Sequence, residues 1–306
     1  MGTGPFAVPS FEAIRQSEHE IVAVVTKPEP PVKSRKGPPP APVRSWAVEH
    51  ALRILDPPSV NDPGAVEALS ALDADLLVVC DYGQILKPAA LATAKLGGIN
   101  LHGSLLPAYR GAAPVQRALL AGESETGVSV IHMTPKLDGG PILGKRQTSI
   151  SDQETAGELE ERLSRLGVEL VLQSLSKLSN WDGKTSLGES QDNTLATKAP
   201  RLSKQEAQID WNRSCAEIDC TVRGMQPWPI AFCQLRPRKD KPTLRIAILR
   251  VSPSDQQRGE LEPGQISGGT ELVVATADGM LRIDRLRPAG KREMSGEEFQ
   301  RGHQLP

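Results

Sequence analysis

The first half of the sequence alternates short apolar runs with helix-like patterns, and this alternation constrains the fold more than any other feature of the 306 residues. Residues 21–26 (IVAVVT), 75–80 (DLLVVC), 98–102 (GINLH) and 128–133 (VSVIHM) have the length and apolar content of buried strands. The segments 9–16, 43–52, 65–72, 88–94 and 113–121 read as helices between them. Strand and helix in turn make βαβ units, so a largely parallel sheet covered on both faces is expected. A longer amphipathic stretch follows at 154–178, with Leu159, Leu163, Leu166, Val168, Leu170 and Leu175 forming one helical stripe.

Near residues 179–204 the composition shifts to Asn, Asp, Gly, Ser, Thr and Lys, as a linker does. A short helix (215–223) and alternating stretches at 230–236, 243–251, 271–276 and 279–286 come next. Short strands with Gly and Pro turns suggest a small barrel. The expected division is a first domain over 1–180, a linker over 181–204 and a second domain over 205–306. The opening residues, Met1-Gly2-Thr3-Gly4-Pro5, read as the glycine-rich turn that follows the first strand of a nucleotide-binding-type sheet, yet no strand precedes them. In a doubly wound sheet that strand is central, and each orphaned ladder group would cost about 1–3 kcal/mol. Against a domain stability of about 5–15 kcal/mol, the expectation is that the first strand is missing here and that Met1 is an internal methionine.

The charges sum to −1, which excludes a chain that binds polyanions by being basic throughout. The sum conceals a split. Residues 1–200 carry 19 basic and 23 acidic groups, a net of −4, while residues 201–306 carry 17 and 14, a net of +3. Residues 221–250 hold seven basic groups and one acidic, and residues 282–292 hold five and one. Such runs arise either as solvated strand faces or as a nucleic-acid surface. Aromatic residues, at 3%, leave few base-stacking platforms. The longest aliphatic run is about five residues, too short to span a membrane. Cys80, Cys215, Cys220 and Cys233 form no C-x-x-C pair, so reduced thiols and a cytoplasmic location are expected, without a disulfide framework or a metal site. Residues 28–42 hold seven prolines together with Lys33, Arg35 and Lys36. A loop of this kind is functional or simply solvated, and composition does not decide which.

The densest segment is 98–114, GINLHGSLLPAYRGAAP. A strand runs there into a loop of Gly, Ser and Pro, and strand ends are where α/β sheets place their sites. Asn100 and His102, two apart, point to one face of the strand. An amide and an imidazole so placed can donate hydrogen bonds to a developing oxyanion; the plainer alternative is a hydrogen-bonded histidine at a strand end. Residues 137–141 (LDGGP) suit a turn between VSVIHM and ILGKRQ. They also suit a role for Asp138 in orienting His102 and positioning a water, and the two readings are compatible. His132, on the preceding strand, reads as structural.

Asn100-x-His102, Ser104-Leu105-Leu106-Pro107, Arg110-Gly111 and Leu137-Asp138-x-Gly140 resemble the folate-dependent formyltransferases. Smaller matches narrow the resemblance to the methionyl-tRNA formyltransferases: residues 2–7 (GTGPFA), 82–86 (YGQIL), 111–117 (GAAPVQR), 204–211 (KQEAQIDW), 227–229 (PWP) and 288–292 (PAGKR). The resemblance implies a Rossmann-like catalytic domain followed by a small OB-like β-barrel that binds tRNA. It implies 10-formyltetrahydrofolate as formyl donor and methionyl initiator tRNA as acceptor, with no metal. Asn100 and protonated His102 would stabilise the tetrahedral oxyanion, and Asp138 would hold the imidazole and help move the amine proton. Ser104, Leu105, Leu106 and Pro107 would line the folate site, with Tyr82, Gly83, Ile85 and Leu86 contributing backbone against the pterin. Cys80-Asp81 departs from the small apolar residues more usual in the family, which leaves that wall open. Lys33, Arg35 and Lys36 would contact the acceptor end of the tRNA, Arg35 standing in for an arginine the family places near Ser34. Arg245 and Arg287 would belong to a basic face for tRNA, and the chain is expected to act as a monomer. The alternatives are another folate-dependent formyltransferase or hydrolase, or an inactive paralogue that binds folate or RNA. The chain length counts against the first and the intact Asn100, His102 and Asp138 against the second.

Overall fold

The computed structural model describes residues 1–29, 41–236 and 243–303. The chain divides into two compact units. One comprises Met1–Pro114, Glu125–Ser149 and Glu160–Pro200; the other comprises Val115–Ser124, Ile150–Leu159 and Arg201–Pro306. A sequence boundary at one point could not express this, because two internal segments leave the first unit and join the second.

In the first unit the expected alternation is present. In chain order come α1 (Val8–Arg15), β1 (Val24–Val25), α2 (Pro42–Glu49), β2 (Ile54–Leu55), α3 (Pro63–Ser70), β3 (Leu77–Cys80), α4 (Pro88–Leu91), β4 (Gly98–His102) and β5 (Arg110–Gly111). Then follow α5 (Pro114–Leu120), which passes into the second unit after Pro114, and β6 (Glu125–His132), β7 (Ile142–Ser149), α6 (Ala156–Ser179), which belongs to the first unit from Glu160 on, and β8 (Lys198–Ala199). Pro42, Pro63, Pro88 and Pro114 each begin a helix. Proline brings a helical φ to that position, where its missing N–H breaks no bond.

Strands β1 and β2 pair in parallel, as do β3 and β4. Beyond β4 the sheet turns antiparallel, through β6 to β7, and the 133–141 loop joins those last two directly. Residues 1–3 stand between β1 and β3. Gly2 N–H donates to the Val25 carbonyl (2.9 Å), Cys80 N–H donates to the Met1 carbonyl (3.0 Å), and the Met1 amino group donates to the Val78 carbonyl (2.7 Å). The position expected to lack a strand is thus filled by three residues whose backbone groups serve both neighbours. Met1 itself joins Val25, Leu69, Leu77, Val79 and Leu86 in the core beneath.

The apolar residues buried along α6 include Leu159, Leu163, Leu170, Val171, Leu175 and Leu178, whereas Leu166 and Val168 of the expected stripe are half-buried. A Cβ at Gly167 would press on Leu101 of β4, so the helix lies close against the face of β4 that bears Leu101. Strand alternation then sends Asn100 and His102 to the opposite face.

The expected linker of 181–204 is not free chain throughout. Glu189 exchanges both backbone hydrogen bonds with Ile142 (2.8 Å each), and β8 pairs in parallel with β5.

The second unit holds α7 (Cys215–Gly224), β9 (Phe232–Leu235), β10 (Leu244–Ser254), β11 (Ile266–Ser267), β12 (Val273–Ala275), β13 (Met280–Pro288), β14 (Met294–Ser295) and α8 (Gly296–His303). Its strands form one antiparallel sheet in the order β11-β12-β13-β10-β9, with β14 on β13. The two ends of this order meet a common interior: a void of about 40 Å³ touches Cys233 of β9, Ile246 of β10, Ile266 of β11, Val274 of β12 and Ile283 of β13. The sheet therefore curls as a small barrel does. Register shifts on either side of Arg250 mark the bend in the long strand β10.

Candidate active site

Strand β4 delivers Asn100 and His102 to the end of the sheet, and the 133–141 loop between β6 and β7 brings Asp138 across to them. His102 is buried, and its Nε2 lies 2.9 Å from the Tyr109 carbonyl oxygen. A carbonyl can only accept, so Nε2 carries a hydrogen and Nδ1 is the nitrogen left to exchange a proton. That nitrogen faces Asp138 Oδ2 at 3.9 Å, an ion-pair separation rather than a hydrogen bond. The same Oδ2 accepts from Gly111 N–H at 2.9 Å, and Asn100 Nδ2 donates to Oδ1 at 3.4 Å. One carboxylate thus holds the amide and stands over the imidazole.

Asp138 occupies the left-handed region (φ 47°), as does Tyr109 (φ 60°). Such conformations cost about 1–3 kcal/mol each and persist where surrounding contacts impose them. For Asp138 these contacts come from Gln191, whose Nε2 donates to the carbonyls of Asp138 (2.8 Å) and Gly140 (2.7 Å). Gln191 Oε1 accepts from Arg110 Nε (3.0 Å) and from a terminal guanidinium nitrogen of Arg110 (2.6 Å). Gly111, at φ 134°, admits no other residue, because a Cβ there would collide with the Ala199 carbonyl.

Two family models match the chain, Formyl transferase over residues 1–175 and Formyl transferase, C-terminal domain over residues 201–304. The methionyl-tRNA formyltransferase of Rhodopirellula baltica is 58% identical over 312 residues, covering 100% of this chain and 93% of the relative. This chain belongs to the methionyl-tRNA formyltransferase family. Two solved structures share the fold. An N-formyltransferase from Helicobacter canadensis matches 92% of this chain and 96% of its own at a TM-score of 0.65 and 17% identity. The methionyl-tRNA formyltransferase from Clostridium thermocellum matches 76% and 92% at a TM-score of 0.53 and 18% identity.

The remaining expected site residues separate by exposure. In the 104–107 loop, Ser104 and Leu106 are buried: Ser104 Oγ donates to the Ala108 carbonyl (2.6 Å), and Leu106 N–H donates to Ser129 Oγ (3.0 Å). Leu105 and Pro107 are half-buried. In the 82–86 loop, the Tyr82 and Leu86 side chains point into the core, and burial pushes the Tyr82 phenol up to about 12. Ile85 is exposed at 60%, and the backbone groups of Gly83 and Gln84 make no hydrogen bond among the described residues. Sequence reasoning missed Asn61, which anchors this loop by donating to the Ile85 carbonyl (2.8 Å) and accepting from Lys87 N–H (2.7 Å).

The unusual Cys80-Asp81 pair has a structural reason. Cys80 is buried in the sheet, and the Asp81 carboxylate accepts from Gly4 N–H, closing the glycine-rich turn. Burial pushes the Asp81 carboxyl up, and Lys27 nearby pulls it down. His132 Nε2 lies 2.8 Å from the Leu96 carbonyl, and its ring meets that of Trp181 at an interplanar angle of 73°.

Lys33, Arg35 and Lys36 lie outside the described residues. Arg245 and Arg287 are exposed in the second unit. Arg287 pairs in register with Ala247, two residues from Arg245, so both arginines share one face of the sheet. The Arg245 guanidinium lies 3.6 Å from the centre of the Phe232 ring. Arg287 opens on a cleft of about 510 Å³ whose walls also carry Arg250, Arg285 and Glu293. Among the described residues no helix is long and apolar enough to cross a membrane, and no group of three or more His, Cys, Asp and Glu side chains could hold a metal ion.

Proposed function

We propose that this chain transfers the formyl group of 10-formyltetrahydrofolate to the α-amino group of methionyl initiator tRNA. The observation that carries this reading is the convergence of Asn100, His102 and Asp138 at the end of β4. Membership of the methionyl-tRNA formyltransferase family supports the choice of substrates.

In this reaction the amine nitrogen bonds to the formyl carbon, the bond from that carbon to the folate nitrogen breaks, and the amine proton ends on that nitrogen. Negative charge collects on the formyl oxygen in between. The second N–H of the Asn100 amide, and His102 when Nδ1 carries a proton, are the donors for that charge; each such donor is worth roughly 3–4 kcal/mol. Asp138 holds the Asn100 amide, stands against the imidazole, and takes up the proton released by the amine before it passes to the leaving folate nitrogen. The rest of the barrier is lowered by holding the two substrates in line.

The 82–86 loop suits the flat, hydrogen-bonding edge of a pterin: it offers open backbone groups at Gly83 and Gln84 beside the exposed Ile85. Its Tyr82 and Leu86 side chains act as anchors beneath. From the 104–107 loop, Leu105 and Pro107 are the side chains with surface to give, while Ser104 and Leu106 shape the loop from within. For the tRNA, Arg245 and Arg287 are the proposed phosphate contacts of the described residues, with Lys33, Arg35 and Lys36 proposed for the acceptor end.

The test is to supply the formyl donor with a choice of amine acceptors. Formylmethionyl-tRNA is expected from charged initiator tRNA, with no product from free methionine or an amino sugar nucleotide. Formylation of the sugar in place of the tRNA would overturn the reading.

A further inference from the structure

We propose that Gln191 is a positioning residue for formyl transfer, its side-chain amide clamping the 138–140 turn so that the Asp138 carboxylate stands against His102. The inference rests on the roles given to Asp138 and His102 above.

Every hydrogen-bonding valence of this amide that the turn can use is spent on it. Both N–H groups go to the carbonyls that bracket the turn, those of Asp138 (2.8 Å) and Gly140 (2.7 Å). The amide oxygen takes two donors from one guanidinium, Arg110 Nε at 3.0 Å and a terminal nitrogen at 2.6 Å. A planar fork on a planar acceptor leaves the amide little freedom to rotate. Arg110 is itself fixed by its place in β5, and its other terminal nitrogen donates to Asn193 Oδ1 (3.1 Å), which also accepts from Lys136 Nζ (2.7 Å). The turn is therefore gripped from one side by residues 191 and 193 and from the other by the strand that follows His102.

Backbone and side chain of Asp138 are held separately. Gly111 N–H and Asn100 fix the carboxylate, whereas Gln191 fixes the peptide that carries it in a left-handed conformation. Without the clamp, that peptide is free to relax towards ordinary φ, which swings the carboxylate off the 3.9 Å line to His102 Nδ1. Gln191 touches no reacting atom; its effect passes through Asp138.

The experiment measures kcat and KM for the full chain as wild type, Gln191→Met, Gln191→Glu, Asp138→Asn and the double variant Gln191→Met/Asp138→Asn, with thermal melting of each. Gln191→Met keeps the shape and removes the hydrogen bonds; kcat is expected to fall about 10- to 100-fold, as for other groups that orient a catalytic residue. KM for both substrates is expected to stay within about twofold, as when an interaction made only in the transition state is removed. Gln191→Glu still accepts from Arg110 but presents oxygen, not N–H, to the two carbonyls, so it is expected to lose as much activity. If one variant does not fold, the other gives the same reading. In the Asp138→Asn background, Gln191→Met is expected to add no further loss, because its route of action is already cut. Wild-type kcat in both Gln191 variants, losses that multiply with that of Asp138→Asn, or recovery in Gln191→Glu would each overturn the clamp. Wild-type kcat in Asp138→Asn would instead overturn the reading of the site itself.

Discussion

His102 spends Nε2–H on the Tyr109 carbonyl, so proton exchange with the Asp138 side falls to Nδ1 alone. Asn100 has no such constraint; its amide nitrogen holds Asp138 with one hydrogen and keeps another for a ligand. Asn100→Ala is therefore expected to lower kcat by about 10²–10³-fold with little change in KM, measured in steady-state formyl transfer. Tyr82 makes the opposite case. Its hydroxyl is buried without a hydrogen-bond partner among the described residues, and a buried unsatisfied group costs about 1–3 kcal/mol. Tyr82→Phe is expected to raise the melting temperature and to leave formyl transfer intact. A lower melting temperature, or lost activity, would show that the hydroxyl has a partner or a ligand after all.

At the scale of elements, α7 shows how local chemistry sets a boundary. Ser214 accepts from Glu217 N–H, and Glu217 accepts from Ser214 N–H in return, closing a capping box. The bonds from Ser214 and Arg213 hold the Glu217 carboxyl down to about 2. A carboxyl depressed in the folded state contributes stability that is complete above its ordinary range, near 4.5, and is lost as pH falls towards 2. The protection factors of the amides in the first turn of α7, taken relative to the intrinsic exchange rate at each pH, are expected to fall over that window, and Glu217→Gln is expected to flatten the dependence. Ser214→Ala is expected to cost about 1 kcal/mol.

The elements that local pattern revealed were those with a period of their own. β3, β4 and β6 stood out as apolar runs, and the proline-led helices as amphipathic turns. β1 and β2 pair over two residues each, and β5 pairs with β8 some 88 residues away, as the bond from Tyr109 N–H to Thr197 Oγ1 records. Two-residue strands carry no period, so β2, β5, β8, β11 and β14 had none to display. At the proposed site, Asn100 and His102 were legible because polar side chains are unusual in a buried strand, whereas Asp138 sits in an ordinary turn sequence and stood out through the family resemblance. Gln191 was not legible, since it lies in a polar stretch without pattern and its partners on the turn are backbone carbonyls, which every residue has.

For the molecule as a whole, the net charge of −1 is a sum over unlike parts, with residues 1–200 at −4 and residues 201–306 at +3. Within the latter part, Arg285 pairs with Glu293 and Arg282 with Glu271 and Asp284, so part of the basic character is internally compensated. Arg245 and Arg287 share one sheet face and form no salt bridge among the described residues. Replacing both with Ala is expected to weaken tRNA binding and to reduce the salt slope by roughly 0.9 for each phosphate no longer neutralised. An unchanged slope in filter binding across a salt series would remove these two residues from the interface.

Formyl transfer to methionyl-tRNA is proposed to depend on one carboxylate that organises the amide and the imidazole. Single-turnover transfer from 10-formyltetrahydrofolate by wild-type chain and by Asp138→Asn, both at saturating substrate, tests it most directly. The wild type is expected to yield formylmethionyl-tRNA, and Asp138→Asn to be slower by about 10²-fold or more, the usual share of a positioned acid–base group. Equal rates for the two, or no product from the wild type, would show that Asp138 does not organise formyl transfer.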